Sequence, residues 1–179
     1  MAEKIGIYFG SSTGATERVA TMIKAEFENY GIEADVMVVA MNNLNTMNNY
    51  KYMLFGCPTW NIGELQDDWA IVYPALSGVN FRGKKVGFFG CGDQFGYSNS
   101  FVDAIGILCE KVIDQGGDPC GWVPTDESYQ FEYSKGVLDG VFMGLAIDED
   151  NQAAQTPQRV ANWVHWLIED MGIPQPAAA

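Results

Sequence analysis

The chain has 179 residues, 47% of them hydrophobic, and carries 23 acidic against 10 basic side chains for a net charge of −13. That is enough chain and apolar content for one α/β domain with its own core, while the acidic balance argues against nucleic acid or anionic membranes as partners, since both require a basic patch. Four cysteines without a CxxC pair and a single histidine, His165, argue against a zinc site.

Lys4–Phe9 is a short apolar run closed by Gly10 and reads as a buried strand. From Gly14 the period becomes helical through Val19, Met22, Ile23, Phe27 and Tyr30, and Gly31 ends it. Glu33–Val39 reads as the second strand, Tyr52–Gly56 as the third and Lys85–Phe89 as the fourth. A helix is predicted over Phe101–Gln115, through Val102, Ile105, Leu108, Cys109, Val112 and Ile113, stopped by Gly116-Gly117. The fifth strand starts near Asp118. Trp122–Gly144, rich in aromatics and acids and without helical period, reads as an insertion, and the last strand resumes near Gly144–Ile147.

Thr156 is a good N-cap and Pro157 a good first helical residue for a final helix to about Met171. The tail, 173–179, should fray. Five strands alternating with helices predict a doubly wound parallel sheet, here a single domain over residues 1–172 with an insertion at about 122–144. No apolar run nears the roughly 18 residues of a membrane span, and the opening MAEKIGIYFG lacks signal-peptide organisation, so a cytoplasmic protein is expected. Cys57 and Cys91 end apolar runs and are expected to be small buried thiols.

Ligands of such sheets bind beyond the carboxyl ends of the strands, which directs attention to three loops. After strand one come Gly10, Ser11, Ser12, Thr13, Gly14, Ala15 and Thr16, opening a helix. Glycines allow a tight turn, hydroxyls donate hydrogen bonds and the helix start offers free amides, which together suit a phosphate. No Lys stands as in GxxxxGK[ST], and no GxGxxG is present, which disfavours a nucleoside triphosphate or a dinucleotide. An uncharged cradle on a helix dipole suits a terminal monophosphate; the plainer reading is a Ser/Thr-rich helix cap. After strand three come Cys57, Pro58, Thr59, Trp60, Asn61, Ile62, Gly63 and Glu64. Trp60 either stacks on a flat ligand or folds back onto the core. After strand four, GCGDQFGYSN supplies glycines spaced GxGxxxG and a second aromatic, Tyr97.

Together the three loops resemble the flavodoxin family: FGSSTGATE its phosphate loop, CPTWNIGELQDDW and GCGDQFGY its two ring loops, and GLAIDEDNQ the end of the long-chain insertion. The resemblance spans about Lys4–Met171. It implies the order 2-1-3-4-5 and bound FMN, a pairing that is itself the standard example of the strand-end rule. It further implies that Ser11, Ser12, Thr13, Gly14, Ala15 and Thr16 cradle the phosphate, that Trp60 and Tyr97 sandwich the ring, and that Thr59, Asn61 and Asp93 line it. Pro58, Ile62, Gly63, Cys91, Gly92 and Gln94 complete the set. The Asn61 carbonyl would meet flavin N5–H in the semiquinone after a peptide flip beside Ile62 and Gly63. The chain departs from the family pattern at Ser12, where an acid or Asn is common, at Ala15, where Lys or Asn is common, and at Phe95, where a smaller apolar residue is usual.

The implied function is a low-potential one-electron carrier shuttling between semiquinone and hydroquinone. Glu64, Asp67, Asp68, Asp93, Asp126, Asp148, Glu149 and Asp150 are placed on the ring side, where they would lower the potential and dock basic partners. Such partners are of the ferredoxin-NADP reductase type, with photosystem I or nitrogenase in some relatives, and the protein is expected to act as a monomer. The rival reading is an FMN-dependent NAD(P)H:quinone oxidoreductase, which needs a substrate pocket beside the ring. A response-receiver domain is disfavoured, because strands one and three end without Asp. The insertion either forms a partner surface or pads the last strand.

Overall fold

The computed structural model describes residues 3–177. Its centre is a parallel sheet of β1 (Ile5–Phe9), β2 (Ala34–Val38), β3 (Tyr52–Gly56), β4 (Lys85–Cys91), β5 (Asp118–Cys120) and β6 (Leu145–Ile147). In space the order is β6–β4–β3–β1–β2, with β5 also paired to β4. This is the expected 2-1-3-4-5 arrangement with its fifth position split in two. Lys85–Gly87 pair with Asp118–Cys120, and Phe89–Cys91 pair with Leu145–Ile147. The two fragments therefore lie end to end along one edge of β4. That is also why β4 runs two residues past its expected end: Gly90 and Cys91 are partners of β6.

The helices are α1 (Ala15–Asn29), α2 (Asp67–Val72), α3 (Asp103–Asp114), the one-turn α4 (Glu149–Gln152) and α5 (Thr156–Met171). Successive strand side chains face opposite ways, so β1 sends Ile5, Ile7 and Phe9 to one side and Tyr8 to the other. The first side packs under Val19, Ile23 and Phe27 of α1 and Val160, Trp163, Val164 and Leu167 of α5. The second packs under Trp69 and Val72 of α2 and Ile105, Leu108 and Val112 of α3. With helices on both faces the strands are buried throughout, which explains their continuous apolar runs.

The insertion leaves the edge at Gly121, whose amide donates to Asp170 Oδ2 (2.7 Å) and whose carbonyl accepts from Trp163 Nε1 (2.8 Å). It holds a small antiparallel sheet of Val123–Pro124, Val137–Leu138 and Val141–Phe142. Its tight turn is Asp139-Gly140, both residues at positive φ, as such a hairpin requires. Tyr129, Phe131 and Phe142 gather on Phe101 with ring centroids 4.8–6.1 Å apart. The insertion is thus an aromatic-cored buttress.

Three expectations change. α5 begins at Thr156 itself, with Gln155 at the cap position making no side-chain cap bond, because a short 3-10 turn, Ala153–Gln155, runs directly into it; the Thr156 hydroxyl is buried without a partner. α3 starts at Asp103, two residues late, after Val102 adopts φ 51°. The tail is anchored at two points, though 174–177 are exposed: Ile173 is buried, its amide donates to Ile168 O (2.9 Å), and Pro176 packs against Gly31. Ala178 and Ala179 lie outside the described residues. All four cysteines are buried and unpaired, and burial pushes the Cys91, Cys109 and Cys120 thiols up to about 12. His165 is a surface residue hydrogen-bonded to Tyr30 Oη (3.1 Å). Among the described residues no helix is long and apolar enough to cross a membrane.

Candidate functional site

The turn from β1 into α1 is held by close packing. Gly10 donates to Gly56 O (3.0 Å) on β3, and a Cβ at Gly10 would collide with the Gln66 carboxamide. Gly14 caps α1 at φ 91°, a conformation open to glycine at little cost, and its amide donates to Ser11 Oγ (3.0 Å). Arg18 N–H reaches the Gly14 carbonyl (3.0 Å) and begins the helical ladder. Among the described residues, the amides of Ala15, Thr16 and Glu17 meet no acceptor. The Thr16 hydroxyl is enclosed and makes no hydrogen bond of good geometry; it lies beside the Cys91 thiol, whose ionised form it favours only weakly against burial. A buried polar atom without a partner costs about 1–3 kcal/mol, and here it stands beside open amides at a helix start, a combination that could accommodate an external acceptor.

The loop after β3 is a short hairpin. Thr59–Trp60 pair with Glu64–Leu65, and Asn61, Ile62 and Gly63 form its tip. Asn61 (φ 48°) and Gly63 (φ 82°) both take left-handed conformations. At Gly63 no larger residue fits, because a Cβ would lie 2.5 Å from Asp103 Oδ2. Thr59 Oγ1 accepts the Ala104 amide (3.0 Å), fixing the hairpin to the start of α3. Asp103 in turn accepts the Lys135 amide (2.7 Å) of the insertion, and burial raises its carboxyl above the usual range, an effect that this hydrogen bond opposes. Trp60 is 36% exposed and Ile62 86%.

The loop after β4 is a closed polar network. Asp93 accepts from the amides of Gly96 (2.8 Å) and Phe95 (3.0 Å) and from Asn151 Nδ2 (2.9 Å); these bonds, the Gly96 one foremost, hold its carboxyl below the usual carboxylate range. Gln94 is fully buried and donates to Asp148 through its amide (3.2 Å) and Nε2 (2.8 Å). Asp148, also fully buried, caps α4 by accepting the Asn151 amide (3.0 Å). The insertion supports the same loop: the Glu132 and Tyr133 amides donate to Ser98 O.

The three loops enclose a cleft of about 450 Å³. Ten of the expected residues line it: Thr13 and Ala15 at one end, Pro58, Thr59, Trp60 and Asn61 along one wall, Cys91, Gly92, Asp93 and Tyr97 along the other. Trp60 and Tyr97, both partly exposed, bring two aromatic rings to one space. Ser11, Ser12, Gly14 and Thr16 belong to the same turn but do not line the cleft; Thr16 is buried, and exposed Ser12 accepts from Gln66 Nε2 (3.2 Å). Ile62 points to solvent, and Gly63 is buried against Asp103. Gln94 does not face the cleft, because both ends of its carboxamide are committed inside the protein. Glu149 and Asp150, expected among the acids on the ring side, line it as well, and Arg18 joins them although it was not among the expected site residues. Arg18 stands one helical turn beyond Ala15, a spacing that does place it on the same face. Asp126 lines a separate apolar groove beside Trp122 and Trp166, and Asp148 is internal, so neither belongs to the cleft's acidic rim.

An enclosed hydroxyl without a partner, open amides at a helix start and paired aromatics fit a ligand with a phosphate at one end and a flat ring at the other. The Flavodoxin family profile matches residues 7–163. A flavodoxin from a Nostoc species is 47% identical over 97% of this chain and 100% of its own length. Escherichia coli flavodoxin 1 is 41% identical over 95% of this chain and 96% of its own. The crystal structure of Fusobacterium nucleatum flavodoxin bound to flavin mononucleotide superposes with a TM-score of 0.85 at 30% identity, covering 91% of this chain and 95% of that one.

Proposed function

The chain belongs to the flavodoxin family, and on that premise we propose that it moves one electron at a time, at low potential, between redox proteins. It is an FMN electron-transfer flavoprotein rather than an enzyme. The observation that carries the reading is one cleft with two aromatic walls and an unpartnered donor set at its end.

Residues 1–172 act as one FMN-binding domain. Bound FMN supplies the redox chemistry, and the chain's residues position it and set its energy. The Ala15 and Thr16 amides and the Thr16 hydroxyl hold the phosphate, with Ser11, Ser12, Thr13 and Gly14 shaping the turn. Trp60 and Tyr97 cover the ring faces and exclude water. Pro58, Thr59, Asn61, Cys91, Gly92 and Asp93 line the edges, and the Asn61 carbonyl is the acceptor for a ring N–H. Ile62 and Gly63 let that peptide reorient. Gln94 acts indirectly, by holding the second loop in place.

Asp93, Glu149 and Asp150 face the same space. At ~12 Å and an effective dielectric of ~40, each carboxylate opposes an added negative charge by about 0.7 kcal/mol, or about 30 mV for a one-electron couple. Several together lower the second one-electron potential. The exposed apolar tips Ile62 and Phe95, flanked by Glu64 and Asp67, form a docking face for partners with basic surfaces, of the ferredoxin-NADP reductase type, with photosystem I or nitrogenase as further candidates. The protein works as a monomer in the cytoplasm.

An anaerobic dithionite titration followed by visible absorbance tests the reading. Two resolved one-electron stages, with a long-wavelength band rising to the half-way point and then falling, are expected. Bleaching in a single two-electron stage would overturn one-electron shuttling.

A further inference from the structure

Where the family commonly carries Lys or Asn, this chain has Ala15, whose methyl makes no polar contact. One helical turn later Arg18 occupies the same side of α1. Helical side chains lean toward the N-terminus, and this one does: a guanidinium nitrogen lies 3.4 Å from the point a Cβ on Gly14 would occupy. Arg18 lines the cleft directly. None of the ion pairs among the described residues includes it, and its side chain makes no hydrogen bond there. Its charge reaches the interior all the same: it favours ionisation of the buried Cys91 thiol, while Glu149 and Asp150 across the mouth oppose it.

We propose that Arg18 is this chain's cationic contact to the FMN phosphate, reaching over Gly14 from the second turn of α1 to serve the space that Ala15 leaves empty. The inference rests on FMN being the cofactor. The amides and the Thr16 hydroxyl are neutral donors and satisfy the phosphate's geometry; Arg18 adds the charge, and its planar fork suits phosphate oxygens. Because the side chain is exposed, its contribution is modest and screened by salt.

The test compares FMN with riboflavin, which lacks the phosphate, on the full-length chain stripped of flavin. Dissociation constants are read from flavin fluorescence quenching at low and high salt for the wild type, Arg18→Ala and Arg18→Lys. Expected for Arg18→Ala is an FMN affinity about fivefold weaker at low salt, little changed at high salt, with riboflavin unaffected. Arg18→Lys should keep most of the affinity. An equal loss for FMN and riboflavin, or no loss for either, overturns the role of Arg18. A wild type that does not bind FMN would instead overturn the proposed function, a result visible before any variant is measured.

Discussion

In the loop after β4, Asp93 accepts three donors from the protein, and Asp148 accepts from both nitrogens of Gln94 and both of Asn151. In the loop after β1, the Ala15 and Thr16 amides and the Thr16 hydroxyl find nothing in the chain to bind. Both loops stand at the carboxyl end of the same sheet, and both face one cleft. The difference lies in what completes them: one is saturated by folding, while the other leaves donors open, as the proposed phosphate site requires. A loop with saturated donors is scaffold even when it touches the cleft, and a loop with unsatisfied donors marks where the ligand's own acceptors belong.

Three measurements break or sharpen that contrast. The largest effect is expected for Asp148→Ala, which strands the buried Gln94 donors, removes the cap of α4 and should cost about 3 kcal/mol in urea unfolding of the flavin-free protein. A loss too small to detect would mean that the β4 loop is not scaffold. Thr16→Val should act in the opposite sense. It removes a hydroxyl with no internal partner, so the flavin-free protein should keep its stability or gain up to about 1 kcal/mol. FMN affinity should fall about tenfold, or ~1.4 kcal/mol. If unfolding suffers while FMN binding is intact, the contrast collapses.

The smallest effect concerns Asp103. Burial raises its carboxyl in the folded state, so the folded protein holds that proton to higher pH than the unfolded chain does. The resulting stability is complete below the unfolded value of about 3.9 and is lost as pH rises through the raised folded value. Asp103→Asn keeps an oxygen for the Lys135 amide and removes this dependence. Its melting temperature relative to wild type should therefore climb across that window. A flat difference would show that Asp103 does not titrate abnormally.

The parallel strands were legible because burial on both faces leaves unbroken apolar runs; Tyr52–Gly56 is found with its ends as read. The three loops were legible because glycines, hydroxyls and aromatics at strand ends have few other uses. Less visible was 41–49, a 3-10 stretch whose Met41, Leu44 and Met47 repeat every three residues among polar neighbours. α2 is only six residues long, too short for a periodic signal. Asp139-Gly140 carried a hairpin signal that the surrounding aromatics and acids obscured. Gln94 read as a binding residue because its loop faces the cleft, yet its direction is set by Asp148, 54 residues away in sequence. Arg18 was hidden for the converse reason: an arginine on a helix surface is ordinary until a small residue one turn earlier leaves it something to reach.

The divided edge strand has a consequence for the protein in a crowded solution. A sheet edge presents unpaired amides and carbonyls that a neighbouring molecule can extend into a shared sheet. Here that row lasts three residues in β5, where Pro119 offers no amide at all, and along β6 the insertion closes it: Leu145–Ile147 are buried and the Ala146 carbonyl accepts from Tyr129 Oη (2.7 Å). A second chain seeking to add a strand at this edge would lose its register before it gained a stable ladder, so the five residues of β2 are left as the longer open edge.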